Sequence, residues 1–251
     1  MNYLKTLLLL PLVMSFGTIA AHHEESGVSQ KDMMQNISVA KKWIEAGYTD
    51  KNAFSKVVKK HMAEDGVNFP GRFVGFGFTF DPQNEDMVVN WVIESSPAEG
   101  VLKPGDMFVS VEGVPATKEN RDNGSLVFSG VVGAAVTAVI QRAGKQVEVS
   151  FERGIVNPQY TKAQVMSNVE SSAEDSWGAD EFEIIEVAAN RKNNVVYAWT
   201  HHTFTDSTTN LKFEENQVTR FQFNEEHQVI ARADLSEEAF VQSQLGYQVT
   251  R

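Results

Sequence analysis

Three side chains late in the sequence have the right types for proton chemistry: His201, His202 and Asp234. A carboxylate set among apolar residues has a raised pKa and serves as an acid or a base. A histidine beside it can share its proton near neutral pH. All three sit in strand-like stretches, "VVYAWTHHTFT" and "VIARADL". Alternation along a strand sends His201 and His202 to opposite faces, so at most one of them faces a given pocket. Asp234 stands just before Ser236 and equally suits the start of a final helix.

A second stretch, "RFVGFGFTF" (72–80), sets Gly75 and Gly77 two apart among bulky apolar residues. It lacks the third glycine of a dinucleotide fingerprint, and no helix pattern follows, so it is no phosphate loop. The chain has no cysteine, which excludes a thiol nucleophile and a disulfide framework. There is no G-x-S-x-G motif, and no His/Asp/Glu group has metal-ligand spacing, so neither metal nor cofactor is expected.

The 251 residues carry a net charge of −11. The densest basic spots, "KKW" and "KKHMAEDG", are each followed by acids, so they suit a solvated helix face better than a nucleic-acid or membrane surface. Residues 1–21, "MNYLKTLLLLPLVMSFGTIAA", have a charged start, a short apolar run and small residues at the end, the pattern of a secretory signal peptide. The expected location is therefore periplasmic or secreted. No stretch is long and apolar enough to predict membrane insertion.

The elements that must position these residues fall into three blocks. The spacing of Met33, Ile37, Ala40 and Ile44 predicts a helix over 33–47 that stops at Gly47. A second helix is expected over 50–65, capped by Asp50, with Phe54, Val57, Val58, His61 and Met62 on one face, ended by Gly66. From Arg72 the apolar period becomes two, and a glycine-rich, strand-rich block runs to about 154. Its last two strands flank "AGK" as a hairpin. After Asn157-Pro158 come a helix over 161–178 (Val165, Val169 and Ala173 on one side), four strands, and a helix over 236–246 with Ser236 heading a capping box.

The middle block resembles a bacterial-type PDZ domain. The resemblance rests on Phe76-Gly77-Phe78, on Ser96-Pro97-Ala98 followed by Leu102-Lys103-Pro104-Gly105-Asp106, and on Val111-Glu112-Gly113. It implies that a partner's C-terminal peptide adds as a strand, with its carboxylate held by a loop of Val74, Gly75, Phe76, Gly77 and Phe78. The sequence departs from the family where a helix should form the far wall, because "ATKENRDNGSLVFSG" puts Asn123-Gly124 inside it.

The flanking blocks together are similar to a SnoaL-like, nuclear-transport-factor-2-like domain, on the order of elements and on "VVYAWTHHTFT" and "QVTRFQFNEEHQVIARADL". The implied fold is α+β: a PDZ-like module inserted in a cone of curved antiparallel sheet and helices. The expected domains are 33–69 and 157–251 for the cone and 70–154 for the insert. The leading functional expectation is an exported adaptor that binds a protein C-terminus and is not an enzyme. The alternative is small-molecule binding, or cyclase- or isomerase-like acid–base catalysis, in the apolar cone. Protease activity is not expected, since no protease domain accompanies the PDZ-like block.

Overall fold

The structure, a computed structural model, describes residues 27–81, 84–172, 177–206 and 209–246. The proposed signal peptide (1–21) and Ala173 lie outside the described residues. The fold is mixed α+β, built around one large sheet.

Helices α1 (Gln30–Thr49) and α2 (Lys51–His61) share a boundary at Asp50. Its N–H closes α1 on Ala46 O, while its side chain accepts from Ala53 N and caps α2. Gly47 is therefore inside α1 and not its stop. Strand β1 (Met62–Phe69) follows at once, so the second helix ends four residues earlier than its apolar face suggests. The reason is tertiary: β1 lies between β14 (Val229–Ser236), which it pairs in parallel, and β10 (Tyr160–Thr161), which it pairs antiparallel.

Three long strands complete this sheet: β11 (Glu181–Asn190), β12 (Val195–Thr205) and β13 (Lys212–Phe223). The order across it is β10-β1-β14-β13-β12-β11. Register shifts at Ile184/Glu186 and at Gln222/Phe223 mark bulges, which bend a sheet. Helix α4 (Lys162–Ser171), closed by a capping box of Thr161 and Gln164, joins α1 and α2 on the concave side. The core between them includes Trp43, Ile44, Val58, Met62, Phe221 and Val229. Each large side chain so buried contributes about 1.5–3 kcal/mol. The last helix, α5 (Glu238–Gln244), starts after Glu237 with no side-chain cap. Ser236 belongs to β14 instead, so the expected capping box does not form.

The chain leaves the large sheet after Phe69 and rejoins it at Tyr160, where Asn68 pairs with Tyr160 and Val67 with Thr161. Between these points a smaller unit has its own core, with Phe76, Met87, Leu102, Phe108, Ile140 and Phe151 at its centre. It contains three sheets. Strand β2 (Phe73–Gly75) pairs with β9 (Gly154–Val156), and β3 (Phe78–Thr79) pairs with β4 (Trp91–Val92). The third has the order β6 (Val114–Pro115), β5 (Met107–Val111), β7 (Ala135–Arg142), β8 (Lys145–Glu152). Ala143 and Gly144 both take positive φ in the β7–β8 turn, as a two-residue hairpin requires. Asp106, 2% exposed, ties the Lys103–Asp106 turn to β7. Its two oxygens accept from Arg142 Nε and Nη2 at 2.7 and 2.6 Å, and Oδ2 also accepts from Lys103 N at 2.8 Å.

Candidate functional site

Strand pairing lays a band of polar side chains across the concave face of the large sheet. His202 is opposite Glu215, Thr200 opposite Gln217, and Thr219 opposite Asp234. Arg232 follows two residues before Asp234, on the same side of its strand. Asp234 is the hub. Its Oδ1 accepts from Thr219 Oγ1 at 2.8 Å and from Gln217 Nε2 at 3.0 Å, and its Oδ2 faces Arg232 Nη1 at 2.7 Å. The same Arg232 nitrogen reaches Asn68 Oδ1 at 2.9 Å, and the guanidinium lies 5.9 Å from the Phe221 ring centre. Charge-assisted bonds of this kind fix both side chains firmly.

Above the pair stand aromatic walls. Trp43 meets Phe221 and Phe54 edge-on, and Phe54 packs against Trp177 at 5.4 Å. Trp43, Phe54, Trp177 and Arg232 border two cavities of about 220 and 210 Å³. The first extends to Tyr160, Asn68 and α4. The second reaches Tyr48, Gln217, Thr219 and Asp234. The result is an aromatic-sided cone with one ion pair at its base, the composition usual in small-molecule sites.

Tyr48, on α1, closes the band from the side. Its ring lies 4.8 Å from His202 and 5.4 Å from Phe182. Burial pushes its hydroxyl up to about 12; a hydrogen bond with Thr200 works against this, and the negative charges of Asp234 and Glu215 add to it. Tyr48 is thus a phenol, and a hydrogen-bond donor, at every physiological pH. Unfolded tyrosine ionises near pH 10. A folded-state value above that makes stability full below about pH 10 and falling as pH rises beyond it. Ultraviolet titration should show Tyr48 ionising only near pH 12 or on unfolding, with Tyr160 also delayed by burial, and Tyr48→Phe should remove one tyrosine from the late phase.

The three sequence candidates separate. Asp234 lines the cavity. His202 points to the concave side but is 1% exposed and lines neither cavity: its Nε2 donates to Glu215 Oε1 at 2.8 Å, and Tyr48 covers its ring. A carboxylate only accepts, so the hydrogen is on Nε2. His201 faces the outer side, with Nε2 3.5 Å from Glu214 Oε2, as alternation dictates, and is not part of the site. Reading the sequence missed Tyr48, Gln217, Thr219, Arg232 and Asn68. The period-two polar pairs Gln217/Thr219 and Arg232/Asp234 within otherwise apolar strands were the available signal.

The Val74–Phe78 segment is elsewhere, in the smaller unit. Phe76, 1% exposed, is core, with Phe151 4.2 Å away. The carbonyls of Phe76 and Gly77 accept from Ala98 N and Ile93 N, and Ser96 Oγ also donates to Gly77 O. The far wall is not a long helix. It consists of α3 (Lys118–Asp122), with no buried residue, followed by Leu126 and Phe128. Phe128 packs edge-on against Phe76, Phe78 and Phe108, and Arg121 of α3 lies over the Phe80 ring at 5.3 Å.

No family model and no curated protein matches this chain. Solved structures do. One, described as a SnoaL-like polyketide cyclase from Jannaschia sp. CCS1, is 10% identical, with a TM-score of 0.41 over 86% of this chain and 94% of that one. A phenazine biosynthesis-related protein from Pseudomonas aeruginosa is 8% identical, with a TM-score of 0.40 over 90% of each chain. A serine endoprotease from Yersinia pestis is 22% identical over 34% of this chain and 30% of that one, with a TM-score of 0.27.

Proposed function

We propose that the protein binds a small, largely apolar molecule in the cone, with its polar end against Arg232 and Asp234. The observation that carries this is the ion pair at the base of cavities walled by Trp43, Phe54 and Trp177. The same base is equipped for acid–base conversion of the bound molecule, of the cyclase or isomerase type that the SnoaL-like resemblance implies. Asp234 accepts the proton, and Arg232 and the Tyr48 phenol stabilise the negative charge left on the molecule.

Peptide binding at Val74–Phe78 is the second, PDZ-like reading. We favour the cone because its cavities bring aromatic walls and an ion pair together.

Titration with naphthalene, 2-naphthol and 2-naphthoate, read by tryptophan fluorescence, tests the proposal. Saturable binding is expected, with at least tenfold weaker binding in Trp177→Ala. Asp234→Asn should keep naphthalene binding and change the order of the two oxygenated probes. If no probe binds saturably, or if neither variant alters binding, the cone is not the site.

A further inference from the structure

Where the smaller unit meets the large sheet there is a separate crevice of about 370 Å³. Its walls come from both units: Val67 of β1, Trp91 to Ser95 of β4 and the turn after it, and Ile155, Asn157 and Gln159 to Thr161 of the returning chain. Trp91 and Tyr160 touch edge to face on its wall, with ring centres 6.3 Å apart. The Trp91 indole N–H is buried without a partner. Four further polar side chains on the walls, Glu94, Ser95, Asn157 and Gln159, make no side-chain hydrogen bond among the described residues. Gln164, also on the wall, is already committed to the α4 cap.

The geometry points to a binding site for a neutral saccharide at this junction. A sugar ring presents apolar C–H faces and a dense rim of hydroxyls that both donate and accept. The crevice offers the counterpart: aromatic and aliphatic surface from Trp91, Tyr160 and Ile155, ringed by two amides, a hydroxyl and a carboxylate with uncommitted donors and acceptors. Amides suit hydroxyls because each carries both roles. Among the described residues no Lys, Arg or His lines the crevice and Glu94 is the one charged residue there, so anionic ligands are disfavoured. The volume falls in the range of ordinary ligand sites, roughly 300–1,000 Å³, and suits one or two rings.

The test uses the intact chain and four probes: maltose, cellobiose, chitobiose and an anionic disaccharide that ends in glucuronate. Binding is followed by saturation-transfer NMR and titration. At least one neutral disaccharide should bind saturably and the glucuronate compound at least tenfold more weakly. Asn157 and Gln159 are exposed, so Asn157→Ala and Gln159→Ala leave the fold intact and should each weaken binding about tenfold. Trp91→Leu, which removes the aromatic surface, should weaken it as well. The proposal is overturned if no neutral disaccharide binds, if the crevice variants bind as well as the parent, or if the anionic compound binds equally.

Discussion

Replacing Gly77 with alanine should destabilise the smaller unit by about 3 kcal/mol or more, while the same change at Gly75 costs less than about 1 kcal/mol. Gly77 has φ of +89°, in a region that a side chain enters at a cost of about 1–2 kcal/mol. A Cβ there also collides with the Cβ and Oγ of Ser96, which is buried and bonded to the Gly77 carbonyl. Gly75 has no positive φ, and its added Cβ meets chiefly the exposed Phe73 ring, which can turn away. Denaturant unfolding of Gly77→Ala, Ser96→Gly and the double variant separates the two causes. Ser96→Gly should relieve the collision and leave the backbone cost, giving a favourable coupling in the cycle. A Gly77→Ala chain within 1 kcal/mol of the parent would refute this account.

Asp106→Asn should cost about 2–3 kcal/mol near neutral pH. Burial alone raises the Asp106 carboxyl, but the Arg142 bonds and the Lys103 N–H outweigh it and hold the group below the usual carboxylate value. Removing one partner of a buried pair costs 3–5 kcal/mol, and the figure is lowered here because Arg142 is 30% exposed. A depressed folded-state value means the stabilisation is complete above the unfolded value, about 4, and is lost as pH falls through the folded one. The gap between parent and variant should therefore be full at pH 6 and shrink steadily below about pH 4. A gap that does not change with pH would mean the charge is not its source.

Much of this architecture was legible where a local cause acts alone. Asp50 heads α2 because its carboxylate satisfies a free N–H wherever the helix goes. "AGK" turns because Gly144 takes positive φ without cost between two alternating strands, with Ala143 held there beside it. Val165 and Val169 are buried because they share one face of α4. The failures share a different cause. "MAEDG" carries no strand signal, and it is drawn into β1 by pairing at its two ends, Met62 with Val229 and Val67–Phe69 with β14 and β10, from far away in sequence. Ser236 had the spacing of a cap, yet its pairing with Gln217 holds it in β14. The candidate site was half visible for the same reason. Asp234 was identifiable by type, but Tyr48, Thr219, Arg232 and Asn68 join it only through register and helix packing, which no local pattern states.

The position of β1 has a consequence for how the chain is made. Both neighbours of β1 lie beyond residue 159, and so do the sheet strands on which α1 and α2 pack. A ribosome delivers the N-terminal segment first. Met33, Trp43, Phe54 and Val58 must then wait, apolar and uncovered, while the smaller unit is completed ahead of them. Once folded, that unit holds Phe73 and Val156 side by side through β2 and β9, and the remaining strands can close the cone without the entropy cost of a long open loop. The second piece to emerge thus acts as the splint on which the first is finished.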